Sequence, residues 1–172
     1  GEPDFQTPSH IVDAAIKALQ NGEHRYTPNA GILPLRQAIC KNYEKTQGVS
    51  YDPEKEVIVT AGGMEALFLA MRVMLDPGDE VLLPDPCWTN YSRQLLLCNA
   101  KAAFVPVYAE NDFQFTPEEL EAAITPKTKA FLINSPANPT GGIAAEETIR
   151  KLAEIAVKHD LYVISDEVYS QL

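Results

Sequence analysis

Five short apolar runs, "EVIVT" (56–60), "EVLLP" (80–84), "AAFVPV" (102–107), "AFLIN" (130–134) and "LYVIS" (161–165), constrain this chain more than any other feature. They are hydrophobic on consecutive positions rather than on alternate ones, which is the pattern of strands covered on both faces. Helical periodicity falls between and around them, near Ile11 to Leu19, Pro34 to Lys45, Met64 to Leu75, Thr89 to Leu97, Pro117 to Ile124 and Glu146 to His159. Buried strands alternating with amphipathic helices predict βαβ units and an α/β fold, a three-layer sandwich with a mostly parallel sheet. Residues 1–55 differ in having helices without an intervening strand. They are expected to form an N-terminal helical lead-in to a sheet domain over 56–172 that is truncated at its C-terminus, since the chain stops directly after a strand.

Composition narrows the function classes. With 45% hydrophobic and 22% charged residues the 172-residue chain has enough apolar material for a packed core, and disorder is excluded. Its formal net charge of −10, with no run of basic residues, argues against a nucleic-acid partner. The three cysteines, Cys40, Cys87 and Cys98, lack CxxC spacing, and the three histidines are scattered, so no metal site is expected. No apolar run approaches the ~20 residues of a membrane span, and the opening "GEPDFQTPSH" lacks a signal-peptide pattern. A cytoplasmic protein with reduced cysteines is the expectation.

Ligands of parallel α/β sheets bind beyond the carboxyl ends of the strands, so the residues after each run belong together. After "EVIVT" come Gly62 and Gly63, opening a helix. Unobstructed N–H groups there favour a phosphate, although a tight turn accounts equally well for the pair. Neither GxxxxGK[ST] nor GxGxxG occurs, which disfavours nucleotide and dinucleotide readings. After "EVLLP" comes Trp88, the single tryptophan, in a Pro-flanked loop where a flat ring can stack on a flat ligand or simply pack. After "AFLIN" the string "SPANPTGG" holds Asn138 in a loop stiffened by Pro139, Gly141 and Gly142. After "LYVIS" comes Asp166, a partly buried acid that requires a cationic or N–H partner, as a site residue, an N-cap or one half of a structural ion pair, with Tyr169 three residues on. Phosphate donors, a stacking ring, an amide and an acid on one sheet edge describe a pocket for a flat heteroaromatic phosphate with a protonated ring nitrogen. Pyridoxal 5'-phosphate has that shape.

With these residues in view, the sequence resembles the large domain of the class I and II aminotransferases, the fold type I enzymes dependent on pyridoxal phosphate, and within them the aspartate and aromatic branch. The resemblance rests on six ordered motifs, "GEPDF", "RYTPNAGILPLRQAI", "VTAGGMEAL", "LDPGDEVLLPDPCWTNY", "TPKTKAFLINSPANPTG" and "DLYVISDEVY". It implies that Asp166 pairs with the cofactor's ring nitrogen, that Asn138 and Tyr169 hydrogen-bond its phenolic oxygen, and that Trp88 stacks on the ring. It further implies that the Gly62, Gly63 and Met64 backbone cradles the phosphate and that Tyr26 reaches the phosphate of the partner subunit in a homodimer. Gly1, Trp88 and Asn138 then line the substrate site. The implied activity is transfer of an amino group from an amino acid to a 2-oxo acid. The same scaffold also serves C–S lyases and aminocyclopropane-carboxylate-synthase-like enzymes, and a non-catalytic binding module is a rival of another class. The family's covalent lysine lies beyond "DEVY", and none of the nine lysines here stands in that context, so this stretch alone is expected to be inactive. Cys87 also departs from the aromatic residue common at its position.

Overall fold

A computed structural model describes residues 4–171. The chain divides into two compact units, residues 1–60 and 61–172. In the first, helix α1 spans Ser9–Gln20 and α2 spans Leu33–Gln47, the latter with a proline in its first turn and the left-handed Gly48 at its end. Arg36 of α2, 8% exposed, ties this unit internally by donating to the carbonyls of Gly31 at 3.1 Å and Pro53 at 2.6 Å.

The second unit is built as the apolar runs predict. It contains α3 (Gly63–Met74), β1 (Glu80–Asp85), α4 (Asn90–Leu97), β2 (Lys101–Pro106), α5 (Pro117–Ala122), β3 (Thr128–Asn134), α6 (Glu146–His159) and β4 (Tyr162–Asp166). The four strands form one parallel sheet in the order β2-β1-β3-β4. Val81, Leu82 and Leu83 of β1 and Ala130, Phe131 and Leu132 of β3 have no exposed surface, so both faces of the central pair are covered. Side-chain alternation sorts them into two cores. Val81, Leu83, Ala130, Leu132 and Ile164 pack with Met71 of α3 and with Tyr91 and Leu95 of α4. Leu82, Phe131 and Val105 pack with Leu120 of α5 and with Leu152, Ile155 and Ala156 of α6 on the other face.

Local chemistry fixes the helix ends. Thr116 and Glu119 form a reciprocal capping box around the start of α5, with Pro117 in its first turn. Helix α6 opens with Glu146 and Glu147 and closes with Lys158 and His159, which complements its dipole, and Asp160 ends it in the left-handed conformation.

One expected strand does not form. Residues 56–60 have no ladder among the described residues; within the first unit the Val59 N–H instead donates to the Ala30 carbonyl at 3.0 Å. An apolar run becomes a strand only when a neighbour meets its backbone groups, and hydrophobicity alone does not supply one.

Travel from β1 to β2 runs outward in one direction, and travel from β3 to β4 runs in the other. Parallel crossovers are right-handed, so this reversal puts α4 on one face and α6 on the other and parts the chain above the carboxyl ends of β1 and β3. The two-sided core makes a direct prediction. Leu82→Ala should lower stability by about 2–5 kcal/mol in urea titrations, whereas Val157→Ala on the exposed side of α6 should stay within about 0.5 kcal/mol. Equal effects would contradict the assignment of Leu82 to the core.

Candidate active site

The carboxyl ends of β1, β3 and β4, together with the start of α3, collect polar groups. Asp166 is the last residue of β4 and half-buried. Its Oδ2 accepts a hydrogen bond from the Tyr91 hydroxyl at 2.7 Å and its Oδ1 one from the Val168 N–H at 3.2 Å. Tyr91 comes from the first turn of α4 and is 1% exposed. Burial first, and then the hydrogen bond to Asp166, hold its phenol well above the usual tyrosine range, so it stays neutral and donates. Trp88 packs edge-on against it, with ring centroids 5.2 Å apart.

The loop after β3 reaches the same place. Asn138 donates from Nδ2 to the Tyr169 hydroxyl at 3.1 Å, and its backbone N–H donates to Asn134 Oδ1 at 2.8 Å. Behind the loop, the Gly142 carbonyl accepts from the Ala137 N–H at 2.9 Å and from Gln114 Nε2 at 3.1 Å. A side chain at Gly142 would run into the Asp112 carbonyl, which is why only glycine serves there.

Gly62 precedes α3 with φ +83°, a conformation open to glycine, and nothing lies within 4 Å of where a Cβ would stand on Gly62 or Gly63. No side chain caps this helix start. The Glu65 carboxylate, in the first turn, accepts instead from the Ala61 N–H. Gln94, 5% exposed on α4, donates from Nε2 to the Met64 carbonyl at 2.9 Å and so braces the first turn of α3 from beneath.

Asp166, Asn138, Tyr169, Trp88, Gly62, Gly63 and Met64 thus all belong to the second unit, where Asn138 meets Tyr169 directly and Asp166 lies on the adjoining strand end. Tyr26 lies in the first unit, fully exposed beside His24, Arg25 and Thr27. Gly1 lies outside the described residues. Three residues are not visible as site residues in the sequence. Tyr91 and Gln94 sit at buried helical positions and read there as core, while Asn134 reads as the end of a strand. The one signal available is that a polar residue closing a buried strand needs a partner.

Comparison with solved structures defines the class first. The chain superposes on an aromatic aminotransferase from Pyrococcus horikoshii OT3 with a TM-score of 0.96 at 42% identity, over 98% of this chain and 45% of that one. It superposes equally, TM-score 0.96 at 41% identity, on N-succinyldiaminopimelate aminotransferase from Mycobacterium tuberculosis, over 100% of this chain and 45% of that one. The architecture is therefore the large-domain fold of fold type I transferases. The family model for aminotransferase class I and II matches residues 1–172, and the chain belongs to that family. Among curated relatives, an aspartate aminotransferase of Geobacillus stearothermophilus is 46% identical over the whole of this chain, which spans 44% of that relative's length. A probable aspartate/prephenate aminotransferase of Thermus aquaticus is 45% identical, again over the whole chain and 45% of the relative.

Cys87, next to Trp88, offers a check on how closed this region is. Burial, and then the charge of Asp85, push its thiol from 9.0 up to about 11. Only the thiolate reacts with iodoacetamide, so the rate of Cys87 labelling, read by mass mapping, should climb about tenfold per pH unit from pH 7 and keep rising beyond pH 10. A rate that levels off by about pH 10 would show an ordinary solvated thiol.

Proposed function

We propose that this chain is the cofactor-binding portion of a pyridoxal-phosphate-dependent aminotransferase that moves an amino group from an amino acid to a 2-oxo acid, with residues 56–172 as the cofactor portion and 1–55 as its lead-in. The observation that carries the reading is the Asp166 carboxylate, standing at a sheet edge and oriented by two donors, Tyr91 and the Val168 N–H. The fit of the residues to the cofactor is supported by complementary chemistry at three points. An acid faces where a protonated ring nitrogen needs an acceptor, hydrogen-bonding groups stand for the phenolic oxygen, and a helix start opened by two glycines, which carry no side chain to crowd it, suits the phosphate.

When bound, pyridoxal phosphate supplies an electron sink for the electron pair released at the amino acid's α-carbon. The chain's own groups serve that chemistry. Asp166 holds the proton on the ring nitrogen, and its negative charge stabilises the ring's positive one. Tyr91 keeps that carboxylate oriented. The Asn138 amide and the Tyr169 hydroxyl donate to the phenolic oxygen, Asn138 also reaching the substrate's carboxylate, and Trp88 offers the ring an apolar face. The Gly62, Gly63 and Met64 N–H groups take the phosphate. Tyr26 completes the phosphate site of the other subunit in a homodimer.

Lys101, Lys127 and Lys129 stand at or before the starts of β2 and β3, at the opposite end of the sheet from Asp166, and Lys151 and Lys158 lie on α6. None of these five serves as the covalent anchor of the cofactor. The 172 residues alone hold it without a covalent link and do not transaminate.

In the full-length protein, Asp166→Asn should retain cofactor but lose activity by on the order of 10²-fold or more, because a neutral amide no longer stabilises the protonated ring nitrogen. Turnover at the wild-type rate would sink the assignment of Asp166. Sedimentation of the same protein should give a dimer, and Tyr26→Ala should weaken phosphate-dependent cofactor retention. A fully active monomer would refute the shared site.

A further inference from the structure

We propose that Asn134 is a positioning residue whose single side-chain amide locks Asn138 and Asp166 to one another. The inference rests on the proposed cofactor site and adds to it a residue that touches neither cofactor nor substrate. Asn134 closes β3, is 5% exposed, and stands in register beside Asp166 of β4. Its Oδ1 accepts the Asn138 N–H at 2.8 Å, and its Nδ2 donates to the Asp166 carbonyl at 3.0 Å.

Both partners are backbone groups. They lie where the sheet ladder has run out, so without Asn134 each would face a half-buried space with a polar group unmet. Because the side chain binds main chain at both ends, it fixes chain path rather than a rotamer, and the rotamers follow. With the Asn138 backbone held, its side-chain amide is aimed at the Tyr169 hydroxyl, 3.1 Å away. With the Asp166 backbone held, its carboxylate meets Tyr91 at 2.7 Å. The orientation of the Asn134 amide is dictated by these partners, since an N–H requires the oxygen and a carbonyl requires the NH₂.

This requirement is asymmetric and separates substitutions. Asn134→Asp keeps an acceptor for the Asn138 N–H but turns an oxygen toward the Asp166 carbonyl, which breaks one arm only. Asn134→Ala breaks both.

The test uses the full-length protein in two measurements. The first is amide hydrogen exchange without cofactor. In Asn134→Ala, exchange at Asn138 and across 166–169 should quicken about tenfold or more, the loss expected for one buried hydrogen bond at each end, while β1 stays at the wild-type rate. In Asn134→Asp, Asn138 should keep its protection and 166–169 alone should loosen. The second is pyridoxal phosphate affinity, followed by quenching of protein fluorescence, which should weaken about tenfold in both variants. Wild-type exchange at Asn138 in Asn134→Ala, or the same loosening of both segments in Asn134→Asp, would overturn the proposal. If circular dichroism shows that Asn134→Ala does not fold, the one-sided pattern in Asn134→Asp decides. Failure of the wild-type protein to bind pyridoxal phosphate would sink the reading of the site instead, and the exchange pattern would still decide whether Asn134 couples the two segments.

Discussion

Strands β1 and β3 are covered on both faces, so the polar groups of the candidate site have to stand beyond their ends. This is the constraint from which the site arises. A parallel strand buried from both sides tolerates almost no polar side chain along its covered length, and β3 is apolar from Ala130 to Ile133 before it closes on Asn134. Reversal of winding between β1 and β3 then parts the connections above those ends. The loop 135–142, the start of α4 and the residues after β4 enter the gap from different directions, and each brings one or two polar groups to it.

Within that gap Tyr91, Asp166, Asn134, Asn138 and Tyr169 are joined by hydrogen bonds. Tyr91 is neutral because it is buried, and a neutral phenol keeps the proton that it donates to Asp166. Asp166 is tied at its carboxylate by Tyr91 and at its carbonyl by Asn134. Asn138 is tied at its N–H by Asn134 and at its amide by Tyr169. A site whose acid and amide share one brace is ordered before a ligand arrives, and preorganisation of that kind lowers the entropy that binding must otherwise spend.

Much of this is legible in the residues. Among the described residues the four sheet strands and six α-helices fall where continuous apolar runs and 3.6-residue periodicity put them, and Asp166, Asn138 and Tyr169 stand out as polar residues just beyond the carboxyl ends of those runs. The failures share a physical cause. "EVIVT" is as apolar as "EVLLP", yet a strand depends on a partner elsewhere in the chain, and composition does not reveal one. Tyr91 and Gln94 repeat with the apolar face of α4, so periodicity absorbs them into the core, and only the fold shows that the hydroxyl and the amide point to the end of the sheet. Periodicity reports which face is buried. It says nothing of what a long side chain reaches from there.

Asp166 carries the proposed chemistry by keeping the ring nitrogen of bound pyridoxal phosphate protonated. Nitrogen-15 NMR of ring-labelled cofactor on the full-length protein reads that proton. The ring nitrogen is expected to stay protonated at pH 10, where the free cofactor's pyridinium has lost its proton; an unprotonated ring nitrogen at that pH would contradict the role given to Asp166.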